Sequence, residues 1–348
     1  MRTLIVGAGA VGQYLAARLR MGGHDVTLLA RPRAVRPLVE NGVTLHVGEQ
    51  TWPTSVRATA DTSDPQLAAP FELVIVAVKA YSTAQAIADM KSIRGCAESS
   101  VLTIQNGLGN EELLADAFGA DRIVAGALTT AAKLTAATDV AASLTGGLVL
   151  APVGKAPHNW ILAAFEPTGV SVRAAADWRA VKWSKLALNL LANATCAVLD
   201  WPPAQVYADS QAFAVERLCL FETTEAMNAL GVAAINLVDF PSRTLFNMVR
   251  TVPAFALRPL LAKRVARARG NKLPSLLIDV RAGKQQLEIE ALNGGVAVRA
   301  AQAGVPAPAN ATITRLVLGI ARREVDWAGY RGNPAALLAA IRQTAATG

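Results

Sequence analysis

Two groups of residues in this chain have the types and spacing to do chemistry together. The first is Gly7-Ala8-Gly9-Ala10-Val11-Gly12, a G-x-G-x-x-G run near the N-terminus. Such a run cradles the pyrophosphate of a dinucleotide: one glycine makes a tight turn, the next lets the phosphates approach the backbone, and the third lets helix and strand pack closely. The run is a weak signal alone. It gains weight from Thr3-Leu4-Ile5-Val6 before it, which reads as a buried strand, and from the helical pattern after it. The helix N-terminus would then offer free N–H groups and a positive dipole to the phosphates. The second group is Lys185, Asn189 and Asn193, at i, i+4 and i+8. On one continuous helix these would share a face. A lysine and two amides among apolar neighbours are expensive to bury unless something binds them. The spacing by itself fits a solvent-facing polar stripe equally well.

The second strand selects the nucleotide. NAD enzymes usually carry an acid about 20 residues past the glycine run, where it binds the ribose 2′-hydroxyl. Here the strand ends Leu28-Leu29-Ala30-Arg31-Pro32-Arg33, with no acid and with Arg31 at the expected place. A guanidinium pairs with a 2′-phosphate where a carboxylate would repel it. The cofactor expected from these residues is NADPH/NADP+.

These residues need a scaffold, and the hydrophobic pattern supplies one. Apolar runs at 3–6, 26–29, 71–78, 101–104, 122–127 and 147–150 alternate with helical patterns at 10–21, 34–40, 83–93 and 111–118. Continuous apolar strands covered by helices on both faces mean a parallel sheet. After about residue 177 the pattern is almost wholly helical, with helices expected at 180–198, 212–230, 276–283 and 287–303. The fold class expected is α/β: an N-terminal Rossmann-type doubly wound sheet plus an all-α C-terminal domain. The division expected is residues 1–175 for NADP binding and 176–348 for substrate and catalysis.

Composition narrows the function. The chain has 348 residues, 52% of them hydrophobic and 17% charged, which fits a packed globular protein and argues against disorder. Mean hydropathy is high at +0.32, yet no uncharged run reaches the roughly 18 residues of a membrane span. The N-terminal strand and glycine turn explain MRTLIVGAGAVG better than a signal peptide does. Together these suggest a cytoplasmic protein. Cys96, Cys196 and Cys219, with His24, His46 and His158, are too scattered for a disulfide framework or a metal site. The net charge is +8, and Arg243 to Lys284 holds ten Lys or Arg against one acid, Asp279. That segment reads as a solvated helix face, as an attractor of anionic ligands, or as a contact for a membrane surface. It carries no recognisable nucleic-acid module.

The combination of motifs resembles the ketopantoate reductase (2-dehydropantoate 2-reductase) family over nearly the whole chain. The likeness is carried by Gly7 to Gly12, Arg31, Val78-Lys79-Ala80, Gln105-Asn106-Gly107, Lys185 with Asn189 and Asn193, Ser275 with Asp279, and Glu288 followed by Leu292-Asn293-Gly294. The resemblance implies that Lys185 is the general acid and that Asn106, Asn189, Asn193 and Ser275 bind substrate. It implies that Gly7, Ala8, Gly9, Ala10, Val11, Gly12, Arg31, Lys79, Asn106, Ala132 and Glu288 lie at the cofactor. Read without it, Asn106-Gly107 is an ordinary turn pair, Lys79 a solvated strand end and Glu288 a surface acid.

The activity implied is NADP-dependent reduction of 2-dehydropantoate to pantoate, a step in pantothenate and coenzyme A biosynthesis. The partners expected are a small 2-keto acid, no nucleic acid and no membrane span, with the chain a monomer or homodimer. Three features depart from the family pattern. Pro203 stands where a further substrate-binding Asn often lies. The segment from Leu237 to Leu273 is long, and one extra residue precedes Glu288. They keep open a reductase of another branched 2-keto acid. A non-catalytic NADPH-binding regulator and a peripheral membrane protein are the alternatives of other classes.

Overall fold

A computed structural model describes residues 1–269 and 273–347. The chain forms two compact units. The first holds Met1–Gln105, Gly109–Lys182 and Leu237–Phe240; the second holds Asn106–Leu108, Trp183–Asn236 and Pro241–Gly348.

The first unit is built on β1 (Arg2–Val6), β2 (Asp25–Leu29), β3 (Val43–Val47), β4 (Gln50–Thr54), β5 (Arg57–Thr59), β6 (Leu73–Val76), β7 (Ser100–Thr103), β8 (Ile123–Leu128), β9 (Ala132–Leu134), β10 (Asp139–Ala142), β11 (Leu148–Pro152) and β12 (Val172–Ala174). Its helices are α1 (Ala10–Met21), α2 (Pro32–Asn41), α3 (Thr83–Ser92), α4 (Asn110–Phe118) and α5 (Asn159–Phe165), with the first turns of α6 (Trp178–Leu190). The large sheet runs β12-β11-β8-β7-β6-β1-β2-β5. It is parallel except where β11 pairs antiparallel to β8. Strand order reverses between β1 and β6, the point in an open parallel sheet where ligands bind at the strands' carboxyl ends.

The unbroken apolar runs have a physical reason. Ile5, Leu73, Ile75 and Leu102 enter one core, while Leu4, Val6, Val74, Val76 and Val101 enter another. Alternate residues of a strand face opposite sides, so a sheet with two cores needs apolar residues at every position. Each fully buried aliphatic side chain contributes about 1.5–3 kcal/mol.

The sequence pattern missed a second sheet, β4-β3-β10-β9. Its strands are short and half polar, and β3 and β10 come together from residues almost a hundred apart. Local periodicity carries no trace of that pairing.

The second unit holds the rest of α6, then α7 (Ala194–Leu199), α8 (Pro203–Ala208), α9 (Ser210–Ala229), α10 (Ser242–Thr251), α11 (Ala254–Arg269), α12 (Ser275–Arg281), α13 (Asn293–Gln302), α14 (Pro308–Arg322) and α15 (Pro334–Thr347). Two expectations need correction. The helix expected over 180–198 is two helices, because Ala192 takes a positive φ of 46°. The helix expected over 287–303 begins at Asn293, after a single 3-10 turn at Glu288–Glu290. The first compact unit runs on to Lys182, within α6, and also takes in Leu237–Phe240. In that segment the Val238 carbonyl accepts from the Thr129 hydroxyl at 2.8 Å, and Asp239 Oδ2 accepts from the Gly146 N–H at 2.8 Å.

Candidate active site

In the first unit the glycine run follows β1 and opens α1, as its pattern requires. Gly7 has φ +110°, a conformation L side chains rarely adopt, and an added Cβ would sit 2.8 Å from Val78 Cγ1. A Cβ on Gly12 would come within 1.9 Å of the Gly7 carbonyl oxygen, so only glycine lets α1 lie this close to the loop. A Cβ on Gly9 would meet nothing within 4 Å. The three glycines therefore serve three needs: conformation at 7, packing at 12, and at 9 an open approach to the backbone.

The first turn of α1, which includes Ala10 and Val11, contains no acid. Its free N–H groups and positive end suit an anion. Gln13, which the sequence reading passed over, braces this loop. It is 1% exposed, and its Nε2 donates to the carbonyls of Ala8 and Ala137, each at 3.0 Å. Ala137 lies between β9 and β10, so Gln13 ties the small sheet to the glycine loop. Ala132 is the first residue of β9, half-buried and paired with Ala142.

Arg31 is exposed and caps the N-terminus of α2, whose first turn also lacks an acid. Lys79 is exposed just past β6 and precedes the 3-10 turn Ala80–Ser82. Both stand at carboxyl ends of strands in the large sheet.

In the second unit Lys185 and Asn189 lie one turn apart on α6, half-buried beside the buried Leu186, Ala187 and Leu190. Asn189 Nδ2 is buried and has no hydrogen-bond partner among the described residues. An orphaned donor of this kind is costly unless something else receives it.

Asn193 is not on the same helix face, contrary to the i+8 expectation. The chain turns at Ala192, and Asn193 starts α7. Its Nδ2 donates to the Asn189 carbonyl at 3.0 Å, and its Oδ1 accepts from the Leu276 N–H at 3.3 Å. Asn193 thus fastens the end of α6 to the start of α12, whose first residue is the exposed Ser275. The turn is held by Glu216 of α9, 3% exposed, which accepts from the Ala192 N–H at 2.7 Å and from the Tyr207 hydroxyl at 3.2 Å. Glu216 was also passed over. Its one signal in sequence is an acid at i+3 from Phe213 and i−4 from Leu220, on a face that is otherwise apolar.

Asn106, Gly107 and Leu108 belong to this unit and dock on the segment after Glu288. The Leu108 N–H donates to the Ala291 carbonyl at 2.9 Å. Gly107 has φ +86°, and a Cβ there would lie 2.5 Å from that same oxygen. Asn106-Gly107 is therefore more than a surface turn: it docks on Ala291, whose N–H donates to the Glu288 carbonyl at 3.0 Å. Glu288 is 7% exposed, which removes the surface-acid reading.

Asn293, from the motif after Glu288, is absorbed by packing. It donates to Asn310 Oδ1 at 3.0 Å. Asn310 in turn donates through Nδ2 to Glu222 Oε2 at 2.8 Å. Glu222 also accepts from the backbone N–H groups of Ala309 at 2.7 Å and Asn310 at 2.9 Å. Burial pushes the Glu222 carboxyl above its ordinary range, against the pull of these bonds. Pro203 is buried as the first residue of α8.

Asp279 accepts from the Lys284 ammonium, Asp200 pairs with Arg281, and Arg258 reaches the Ala208 carbonyl. Several cations of the basic segment thus have partners within the protein; Lys272 lies outside the described residues. Among the described residues there is no cluster of side chains able to hold a metal and no helix long and apolar enough to cross a membrane.

A dinucleotide-type glycine loop on a doubly wound sheet, with a helical second unit, defines a protein of the Rossmann class. Comparison with known proteins specifies the family. Residues 3–155 match ketopantoate reductase PanE/ApbA, and residues 177–321 match its C-terminal domain. The chain belongs to the ketopantoate reductase family. It is 28% identical to the 2-dehydropantoate 2-reductase of Halobacterium salinarum over 91% of this chain and 98% of the relative. Among solved structures it is similar to a PanE/ApbA family ketopantoate reductase from Ralstonia eutropha JMP134, with 28% identity, a TM-score of 0.78, and coverage of 93% of this chain and 99% of that one. It also shares its fold with a D-mandelate dehydrogenase solved with NADH and anilino(oxo)acetate, at 18% identity and a TM-score of 0.75 over 93% and 99% of the two chains.

Proposed function

We propose that this protein reduces 2-dehydropantoate to pantoate with NADPH, as a step in pantothenate and coenzyme A synthesis in the cytoplasm. The observation that carries the reading is Lys185 one helical turn before Asn189, whose buried Nδ2 finds no acceptor within the described protein. An ammonium beside an amide donor suits a substrate with a ketone oxygen next to a carboxylate. The named relatives are reductases of such a substrate, and the D-mandelate dehydrogenase neighbour was solved with a nicotinamide dinucleotide.

The residues of the first unit fit a dinucleotide phosphorylated on its ribose. Gly9 is open to a pyrophosphate, α1 and α2 begin without acids, and Arg31 offers a guanidinium where NAD enzymes carry a carboxylate. Lys79, Asn106, Ala132 and Glu288 complete the proposed contacts. When bound, NADPH supplies the hydride that reduces the ketone carbon. Lys185 stabilises the charge that develops on the ketone oxygen and delivers the proton that makes it a hydroxyl. Asn189 and Ser275 orient the acid and its hydroxyl. Asn193 bonds the Asn189 carbonyl and the Leu276 N–H, next to Ser275, and is itself a proposed contact.

One observation favours a second substrate within the same chemistry. Pro203 is buried at the first turn of α8 and offers no side-chain donor, so the acid bound could be another branched 2-keto acid. A panel of 2-keto acids, each assayed with NADPH and NADH, tests both readings. Highest kcat/KM for 2-dehydropantoate with NADPH is expected. A higher value for another keto acid selects the second reading. No turnover of any, with tight NADPH binding, refutes both.

A further inference from the structure

Gln105/Asn106 and Lys182/Trp183 are two of the five points at which the chain passes between its two units. On the side of the first unit, one buried group holds both points. Lys182 Nζ donates to the Gln105 carbonyl and pairs with Glu111 Oε1 at 2.9 Å. The two side chains are 1% and 0% exposed. The group continues outward through neutral hydrogen bonds. Gln105 Nε2 donates to Thr83 Oγ1 at 2.8 Å, and Thr83 Oγ1 lies 2.8 Å from both the Ala80 carbonyl and Asn110 Oδ1. It therefore reaches the turn that begins next to Lys79.

Stability alone does not account for a dry ion pair. Removing two charges from water costs about as much as their attraction returns, and well-packed apolar residues of similar size are often at least as stable. Burial does push the Glu111 carboxyl upward, with Lys182 pulling against it. What the pair adds is direction. The Lys182 ammonium is committed to the last main-chain carbonyl before Asn106, and Lys182 itself lies three residues before Lys185 on the same helix.

We propose that the Lys182–Glu111 pair is a positioning device that fixes Asn106 and Lys185 in register with each other. It touches neither substrate nor cofactor. The proposal rests on the reductase reading for its consequence, and on Lys182, Glu111 and Gln105 for its geometry.

The test uses Lys182→Met and the double variant Lys182→Met/Glu111→Leu in the full chain. Methionine keeps the length of the lysine stem, and the double variant leaves no buried charge. Expected for the double variant are a melting temperature near that of the wild type and a kcat at least tenfold lower. Recovery of both melting temperature and kcat would overturn the proposal. A second readout needs no turnover. Backbone amides of residues 106–109 and 183–187 should exchange hydrogen at least tenfold faster in Lys182→Met, with those of β1 and β6 unchanged. Unchanged exchange at 106–109 and 183–187 would overturn the proposal whatever the substrate is. So would the failure of both variants to fold, because the pair would then be a structural brace. A wild-type chain that turns over no keto acid, with the exchange result as expected, refutes the reductase reading and leaves the positioning role standing.

Discussion

Replacing Gly9 with alanine separates what the glycine loop needs to fold from what it needs to bind. Gly9 is the N-cap of α1 with φ −78° and ψ −174°, a conformation open to any L residue. A methyl group there meets nothing within 4 Å. Two small effects on folding oppose each other. Alanine lowers the entropy of the unfolded chain by about 0.4–1 kcal/mol, and it is a poorer N-cap than glycine by a similar amount. The net change in stability is within about 1 kcal/mol, or a few degrees in Tm for a unit of this size. Binding behaves differently. The methyl occupies the approach to the N–H groups opening α1, and each charge-assisted hydrogen bond lost is worth about 1.5–3 kcal/mol. NADPH affinity should fall at least tenfold for one such bond and more than a hundredfold for two. Gly12→Ala is the control. Its Cβ would lie 1.9 Å from the Gly7 carbonyl oxygen, a backbone atom that cannot yield without moving α1. That variant should lose about 3 kcal/mol or more of stability. Tm by calorimetry and Kd by fluorescence titration measure both variants. Wild-type affinity in Gly9→Ala would show that no phosphate approaches the loop at residue 9, and the assignment would fall.

Other expectations follow from single sites. Lys185→Ala should lower kcat by about 10²–10⁴-fold while NADPH still binds; near-normal turnover would remove Lys185 from the mechanism. Arg31→Ala should raise KM for NADPH far more than for NADH, and an equal effect on both would unseat Arg31 as the 2′-phosphate ligand. Because the folded state raises the Glu222 pKa above its ordinary 4.5, this carboxyl's contribution to stability falls as pH climbs from about 4.5 through the raised value. Glu222→Gln should remove that slope from a Tm-against-pH curve, at a cost of about 1–3 kcal/mol for N–H groups left without an acceptor. Burial pushes the Cys96 thiol up to about 12 and Cys219 well above its usual range. Cys96, Cys196 and Cys219 are all buried, so the native protein should resist iodoacetamide at mildly alkaline pH, and rapid labelling would contradict that burial.

The sequence alone determined the dinucleotide loop and the doubly wound sheet, because both are written in local terms. Gly7, Gly9 and Gly12 answer to the backbone within six residues, and strands buried on both faces must be apolar at every position. The helical second half was legible for the same reason. Only the tertiary structure decided the small sheet, where β3 and β10 meet across almost a hundred residues. It also decided the break in the expected 180–198 helix. Leu191-Ala192-Asn193 holds neither glycine nor proline, and the break depends on a carboxylate brought from α9 to the Ala192 N–H. Asn193 changed accordingly from a position on a helix face to a link between α6 and α12. Glu111 and Lys182 look like ordinary charged residues in sequence, and what makes them partners is that the fold buries both within ion-pair distance. Local periodicity records what a residue does for its own strand or helix. It does not record which distant polar group the folded chain will bring to it.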